Sequence, residues 1–373
     1  MHATAPYQGI IPARLPSLAM GRFEPVSLRF HGQAGEYFKI WIVNLLLSVL
    51  TLGIYSAWAK VRTMRYFHGS TELAGARFDY HATPISILIG RAIAFGMFVP
   101  VSLLSNSHPG IAFGLLLLVM LVAPYLVIRS LRFRLRMVSY RNIRFGFDGS
   151  VGQGYLYFLL MPILSLLSMG LATPYVQHEV RRFVVDHSRF GATRFQMRSV
   201  VGDWYVAYLY LLVGITGMVI ALMVLGAIVM GLIGALFLSG DSDWSKTLSG
   251  GLAITAGVVG YGAFLLVYVV SGQMLRAWLN KLVLDNSRLG EVRFKSNMRV
   301  MPLFKLYALN TLAIVFSLGL AYPWARVRLA RYMAETTDVL APFDLSMFVA
   351  GEQQQTNAIG EEIADMFQVD IGI

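Results

Sequence analysis

Three arginines hold one position in a segment that the chain repeats: Arg65, Arg182 and Arg331. Arg62 and Arg328 stand three residues before the first and the last of them. A guanidinium makes bidentate, charge-assisted contacts with phosphate and carboxylate, so this pattern could bind anionic lipid head groups or another anionic ligand. The plainer reading is positive-inside anchoring plus a pair with a cytoplasmic carboxylate. Asn44 and Asn310 are the polar candidates inside two of the repeated segments. Each could line a pathway or hydrogen-bond a broken backbone group. The second role is expected, because broken helices in lipid need partners.

Other chemistry is sparse. His178-Glu179 lacks the second histidine of a zinc-protease helix, and Gly149, Gly152 and Gly154 are not set in the strand–helix–strand context of a dinucleotide fingerprint. His31, His68, His81, His178 and His187 show no recurring ligand spacing. No catalytic residue, metal site or cofactor is expected. With no cysteine in the chain, disulfides and thiolate chemistry are excluded.

These residues sit in elements that recur. Phe38, Lys39, Asn44, Gly53, Trp58, Arg62, Arg65 and Tyr66 return as Phe304, Lys305, Asn310, Gly319, Trp324, Arg328, Arg331 and Tyr332. A weaker middle copy keeps Gly170, Tyr175 and Arg182 but has Gln177 and Glu179 where the other copies are basic. Repetition of this kind means a chain built from units. Thr51-Leu52-Gly53, Ser168-Met169-Gly170 and Ser317-Leu318-Gly319 interrupt each copy, and glycine supplies the backbone freedom for a reversal. Trp58, Tyr175 and Trp324 fit an interfacial aromatic belt.

Of 373 residues, 56% are hydrophobic and 14% charged. Ile111–Ile128, Trp204–Gly240 and Thr247–Leu275 carry no charge, and a bilayer span needs roughly 20 apolar residues. A large soluble core could not hide such runs. The net charge of +11 lies beside apolar segments, which points to membrane orientation and anionic head groups and away from nucleic acid. If all seven apolar segments crossed, the arginine-rich loops would fall on opposite sides. If the three repeats enter and leave on one side, all but Arg91 and Lys246 of the 31 Lys and Arg share that side. Arg91 lies within a span and is expected to snorkel.

The predicted fold is therefore mainly α: a polytopic membrane protein of two transmembrane hairpins (about 84–138 and 203–284) and three re-entrant or broken helical repeats (about 36–80, 154–197 and 302–345), with both termini cytoplasmic. The alternative for the repeats is three kinked full spans. Six Phe-bearing motifs around Phe30, Phe78, Phe145, Phe195, Phe294 and Phe343 predict about six short strands forming a small cytoplasmic sheet. Residues 1–27 form an N-terminal cytoplasmic segment and no signal peptide. Residues 346–373 form an acidic tail in which Asn357 can cap a short helix.

Phe30-His31-Gly32, Gly35-Glu36-Tyr37-Phe38, Thr51-Leu52-Gly53-Ile54-Tyr55 and Ala57-Trp58-Ala59-Lys60-Val61-Arg62 resemble the bacterial YjgN family, the DUF898 domain. The resemblance is most specific over about Phe30–Tyr80 and Leu303–Tyr332. It implies a bacterial inner-membrane protein and supplies no catalytic residues. The pattern as a whole predicts transport, channel-like or lipid-handling function through a pathway lined by broken helices. The alternative is a non-catalytic scaffold or partner subunit, with a protein partner or a second copy of the chain. An integral-membrane enzyme ranks third.

Overall fold

A computed structural model describes residues 24–237, 243–341 and 347–354. The expectations for residues 1–23, for the motif around Phe343 and for a helix capped by Asn357 lie outside the described residues. The chain begins with β1 (Glu24–Ser27) and β2 (Arg29–Phe30) and then alternates helical hairpins with β-hairpins. First come α1 (Ala34–Leu50) and α2 (Ser56–Gly69), then β3 (Thr71–Leu73) and β4 (Ala76–Tyr80). Next are α3 (Pro84–Leu104) and α4 (Pro109–Arg136), then β5 (Val138–Tyr140) and β6 (Ile143–Phe147). The middle repeat is α5 (Val151–Tyr155), a π-turn (Leu156–Leu160), α6 (Met161–Leu167) and α7 (Thr173–Asp186), followed by β7 (Ser188–Phe190) and β8 (Thr193–Met197). The longest helices, α8 (Val201–Phe237) and α9 (Asp243–Asp285), lead to β9 (Ser287–Leu289) and β10 (Val292–Ser296). The last repeat is α10 (Val300–Phe316) and α11 (Tyr322–Glu335), ending in β11 (Thr337–Ala341). A short helix, α12, covers 347–354.

All eleven strands join one antiparallel sheet in the order β1-β11-β10-β9-β8-β7-β6-β5-β4-β3-β2. Its two edges, β1 and β2, are consecutive in the chain and separated by Leu28 alone. β1 pairs with β11 (Val26 opposite Val339), while β2 pairs with β3 (Phe30 opposite Thr71). One extended segment thus changes partner at Leu28, and the sheet is a nearly closed barrel. Closure removes the unpaired edges that an open sheet would expose.

Two-residue turns hold the four covalent hairpins. Ala74-Gly75 (φ 47 and 76) and Arg141-Asn142 (φ 47 and 65) are left-handed at both positions, as a type I′ turn requires. Gly191 and Gly290 supply the left-handed residue in the other two. β11 and β1 form the fifth hairpin without a turn. At the open ends, five equivalent backbone hydrogen bonds join each unit to the next: His31 N–H to Ser70 O (2.8 Å), His81 to Met137 (2.8 Å), Asp148 to His187 (3.0 Å), Arg198 to Asn286 (2.9 Å) and Asn297 to Thr336 (2.8 Å). The protein is a ring of five units, each a helical hairpin on a β-hairpin.

The small six-stranded sheet is therefore corrected to an eleven-stranded, nearly closed barrel. The Phe-bearing motifs on Phe78, Phe145, Phe195 and Phe294 are the outgoing arms of their hairpins. The incoming arms, such as Thr71–Leu73 and Ser287–Leu289, follow directly on helix ends and carry no alternation long enough to mark them. Period two explains the Arg-Phe signature: Arg77, Arg144, Arg194 and Arg293 face out, and the phenylalanines face in. Inside, Phe78, Phe145, Phe195 and Phe294 pack with Tyr140, Ile143, Phe190, Leu289, Val292 and Val339. The barrel is filled with side chains.

Helices pack on their neighbours around the ring, from α1 against α2 to α11 against α1. The join between chain ends is a cluster of Phe30, Tyr37, Val327 and Ala334 backed by Trp41, Tyr66 and Phe67. In the middle repeat, the π-turn ends two residues before Pro162, whose missing N–H breaks the regular ladder.

α12 closes the turn end of the barrel. Phe348 and Val349 enter its core. Buried Glu352 accepts from the N–H groups of Ala192 (2.8 Å) and Thr193 (3.3 Å) and from the Thr193 hydroxyl. Replacing Glu352 with Ala leaves these donors without their carboxylate, a loss of about 1–3 kcal/mol. Limited proteolysis of Glu352→Ala should cut around residues 347–354 faster than in wild type, with the helical hairpins still intact.

Candidate functional site

The repeated reversals share one geometry. Leu52, Met169 and Leu318 are left-handed (φ 50, 51 and 52), followed by Gly53, Gly170 and Gly319 (φ 90, 88 and 92). Each glycine N–H reaches back five residues, to Ser48 O (2.7 Å), Ser165 O (2.8 Å) and Ile314 O (2.7 Å). This is the hydrogen bond of a Schellman helix end. The hydroxyls of Thr51, Ser168 and Ser317 then accept from the N–H groups of Tyr55 (2.9 Å), Ala172 (2.9 Å) and Ala321 (2.8 Å), starting the returning helix. Each repeat is a helical hairpin, not a kinked helix.

The tips are unusual in chemistry. A soluble protein would place glycine or asparagine at the left-handed position. Here it holds Leu52 at 95%, Met169 at 94% and Leu318 at 94% exposure. A left-handed non-glycine residue costs of order 1–3 kcal/mol. Three copies keep that strain and project an apolar side chain from the apex.

Asn44 and Asn310 are buried and act inside the hairpins. Their Nδ2 groups donate across to the returning helix, at Ala59 O (3.5 Å) and Ala325 O (3.3 Å). Both Oδ1 atoms are buried without a partner. They clamp two helices together.

The arginine set divides. Arg331 donates to Gly32 O (3.1 Å) and Arg65 to Ala82 O (3.4 Å), each reaching the linker of the next unit. Arg132 on α4 does the same to Gly149 O (2.7 Å). Arg132 and Lys281 stand five residues before the helix-to-strand junctions at Met137 and Asn286, as Arg65, Arg182 and Arg331 do before Ser70, His187 and Thr336, so the position recurs in five units and not three. Arg182 instead pairs with Asp186 (3.5 Å). In that unit His178 Nε2 takes the linker carbonyl of Ser199 (3.3 Å), with Nδ1 on Glu179 (3.0 Å). This explains a His/acid pair that could otherwise suggest catalysis. Arg62 is exposed, and Arg328 lies over the Trp324 ring at 5.0 Å. Trp58 stacks near Tyr55 (6.2 Å), and Tyr175 is half-buried at the start of α7.

Arg91 was missed as a site. Its guanidinium donates to the Ser56 hydroxyl beside the first reversal, and Ser56 donates in turn to Gly53 O. Its position within an apolar segment was the available signal. Outside the helical segments that could cross a membrane, His68 stacks on Tyr80 (5.5 Å), and burial lowers its pKa. Among the described residues no cluster of three His, Asp or Glu could hold a metal ion.

Four helices, Pro84–Leu104, Pro109–Arg136, Val201–Ala235 and Gly250–Asp285, are long and apolar enough to cross a membrane. The profile of "Bacterial protein of unknown function (DUF898)" matches residues 25–366. The chain belongs to the DUF898 family. Inner membrane protein YjgN of Salmonella typhimurium is 26% identical, over 85% of this chain and 89% of that protein. Inner membrane protein YjgN of Escherichia coli K12 is 25% identical, over 88% and 92%. No solved structure matches. The DUF898 fold thus combines apolar hairpins with a packed barrel.

The Asn310 environment makes a sharp prediction. Leucine matches asparagine in shape and removes the unpartnered Oδ1, so Asn310→Leu should shift the melting temperature of the detergent-solubilised protein by no more than a few degrees. Asn310→Asp buries an unpaired charge worth several kcal/mol and should abolish accumulation of folded protein.

Proposed function

We propose that this DUF898 protein is a multi-pass protein of the bacterial inner membrane with both termini cytoplasmic. Its three repeats are re-entrant, and it handles lipid within the helix ring. The observation that carries this reading is the trio of left-handed apolar tips. Leu52, Met169 and Leu318 are tolerable at such exposure when lipid replaces water around them. A 17-residue helix such as α1 rises about 26 Å, short of a return trip's far side but deep into a core of about 30 Å.

Lipid suits the walls better than an aqueous solute. The spanning windows of α3 and α8 have no buried residues, so their faces are open to lipid. Within the apolar stretches of the four long helices the one charge among the described residues is Arg91, well placed for a phosphate head group. The barrel below is filled by aromatic side chains, which disfavours a water-filled channel along the ring axis. The same open helix faces would suit a scaffold that packs against partner helices, and this is the second reading.

Reconstitution separates them. Wild-type protein in liposomes should speed the exchange of a fluorescent phosphatidylglycerol between leaflets well above protein-free vesicles. The triple variant Leu52→Asn, Met169→Asn, Leu318→Asn should reduce that rate at least tenfold and lower stability in bilayers. Asparagine relieves left-handed strain, so if the tips lie in water the variant will be more stable than wild type and re-entry is wrong. Wild-type exchange no faster than empty vesicles would leave the scaffold reading.

A further inference from the structure

The outer wall of the barrel carries a basic groove that the function above does not use. Its volume is about 860 Å³, and its lining includes Arg136, Arg144, Arg189, Gly146 and Gln353. Arg136 is the last residue of α4, Arg144 faces out from β6, and Arg189 faces out from β7 opposite Gly146. None of the three guanidinium groups has a carboxylate or hydrogen-bond partner among the described residues. Their neighbour Arg194 is different, since it is satisfied by Asp148 at 2.6 Å.

The groove depends on one small residue. A Cβ at Gly146 would lie 2.7 Å from Arg189 Nε and 3.1 Å from its Cγ. Glycine there lets the Arg189 side chain lie flat across β6. α12 supplies a wall, with Gln353 Nε2 held on Arg141 O (2.9 Å). Three unpaired guanidiniums around a concave surface are suited to a multiply charged anion with several acceptor oxygens.

Its depth decides between sources of phosphate. Arg129 is the first charge on α4, and Arg136 lies about 10 Å further along the helix, away from the apolar segment. From there the groove runs toward the hairpin turns at Asn142 and Gly191. A lipid phosphate at the membrane surface would stay above it. We propose that Arg136, Arg144 and Arg189 form a binding site for a water-soluble oligophosphate, such as the phosphate chain of a nucleotide or an inorganic polyphosphate. The site stands independently of the lipid-handling reading.

Titration calorimetry on the full-length protein in phosphatidylcholine nanodiscs, with inorganic tripolyphosphate as probe, tests this. Wild type should bind, and Arg144→Gln/Arg189→Gln should lose at least tenfold in affinity. Arg77→Gln, which removes an outward arginine of another hairpin, should bind as wild type does. Gly146→Ala should also weaken binding by displacing Arg189, while keeping net charge. No wild-type binding overturns the proposal, as does an equal loss in Arg77→Gln, which would mean adsorption to general surface charge. Nanodiscs containing phosphatidylglycerol should leave the tripolyphosphate affinity unchanged. Competition by that lipid would assign the groove to a head group and overturn the soluble ligand.

Discussion

The structure depends on a single extended segment, residues 24–30, that bonds to both ends of the same sheet. Ser27 bonds to Asp338 (2.6 Å), the Leu28 N–H to Thr337 O (3.1 Å), and His31 to Ser70 O (2.8 Å). Until this segment docks, β3 and β11 are free edges, and the first and last helical hairpins have no common wall. Once it docks, five units are held at fixed spacing. The entropy of closing so long a loop rises only logarithmically with its length, so closure over more than 300 residues is feasible. It also brings Phe30, Tyr37, Val327 and Ala334 together into one buried cluster.

The ring reconciles two solvents. Its lower half is built as a soluble barrel is, with phenylalanines inside and arginines outside. Its upper half exposes apolar surface on almost every helix, which is stable only in lipid. The linkers between them concentrate the polar bonds: Arg65, Arg132, Arg331 and His178 each satisfy the linker carbonyl of the next unit. These side chains keep the hairpins upright at the boundary, so the arginine set is first a structural device. Arg91 stands apart, because it reaches toward the tip of the first hairpin and not toward the boundary.

Much of the helical organisation was legible in the sequence. Gly53, Gly170 and Gly319 marked the reversals because no other residue type is as permissive there, and Asn44 and Asn310 were recognisable as polar groups in apolar helices. The barrel was less legible for a physical reason. Three-residue strands such as Val138–Tyr140 and Ser188–Phe190 have no periodicity of their own, and their partners lie one whole helical hairpin away in the chain. The equivalence of all five units was hidden because α3–α4 and α8–α9 kept only the position of Arg132 and Lys281, not the Gly turn. Nor could the sequence show that the residue before each glycine, not the glycine alone, is left-handed. The groove of Arg136, Arg144 and Arg189 escaped because it forms between two hairpins.

Ring closure can be tested directly, because the chain has no cysteine to interfere. Val26 and Val339 are directly opposed in β1 and β11, and both pack into the barrel core. The doubly substituted Val26→Cys/Val339→Cys protein, oxidised in isolated membranes, should form an intramolecular disulfide. Closing nearly the whole chain into a loop should give a faster-migrating band that reductant reverses. The combination Val26→Cys/Ala76→Cys, on strands β1 and β4 that do not pair, should give none. Crosslinking of that unpaired combination, or none at 26 and 339 under the same oxidant, would contradict the closed barrel and the five-unit ring that rests on it.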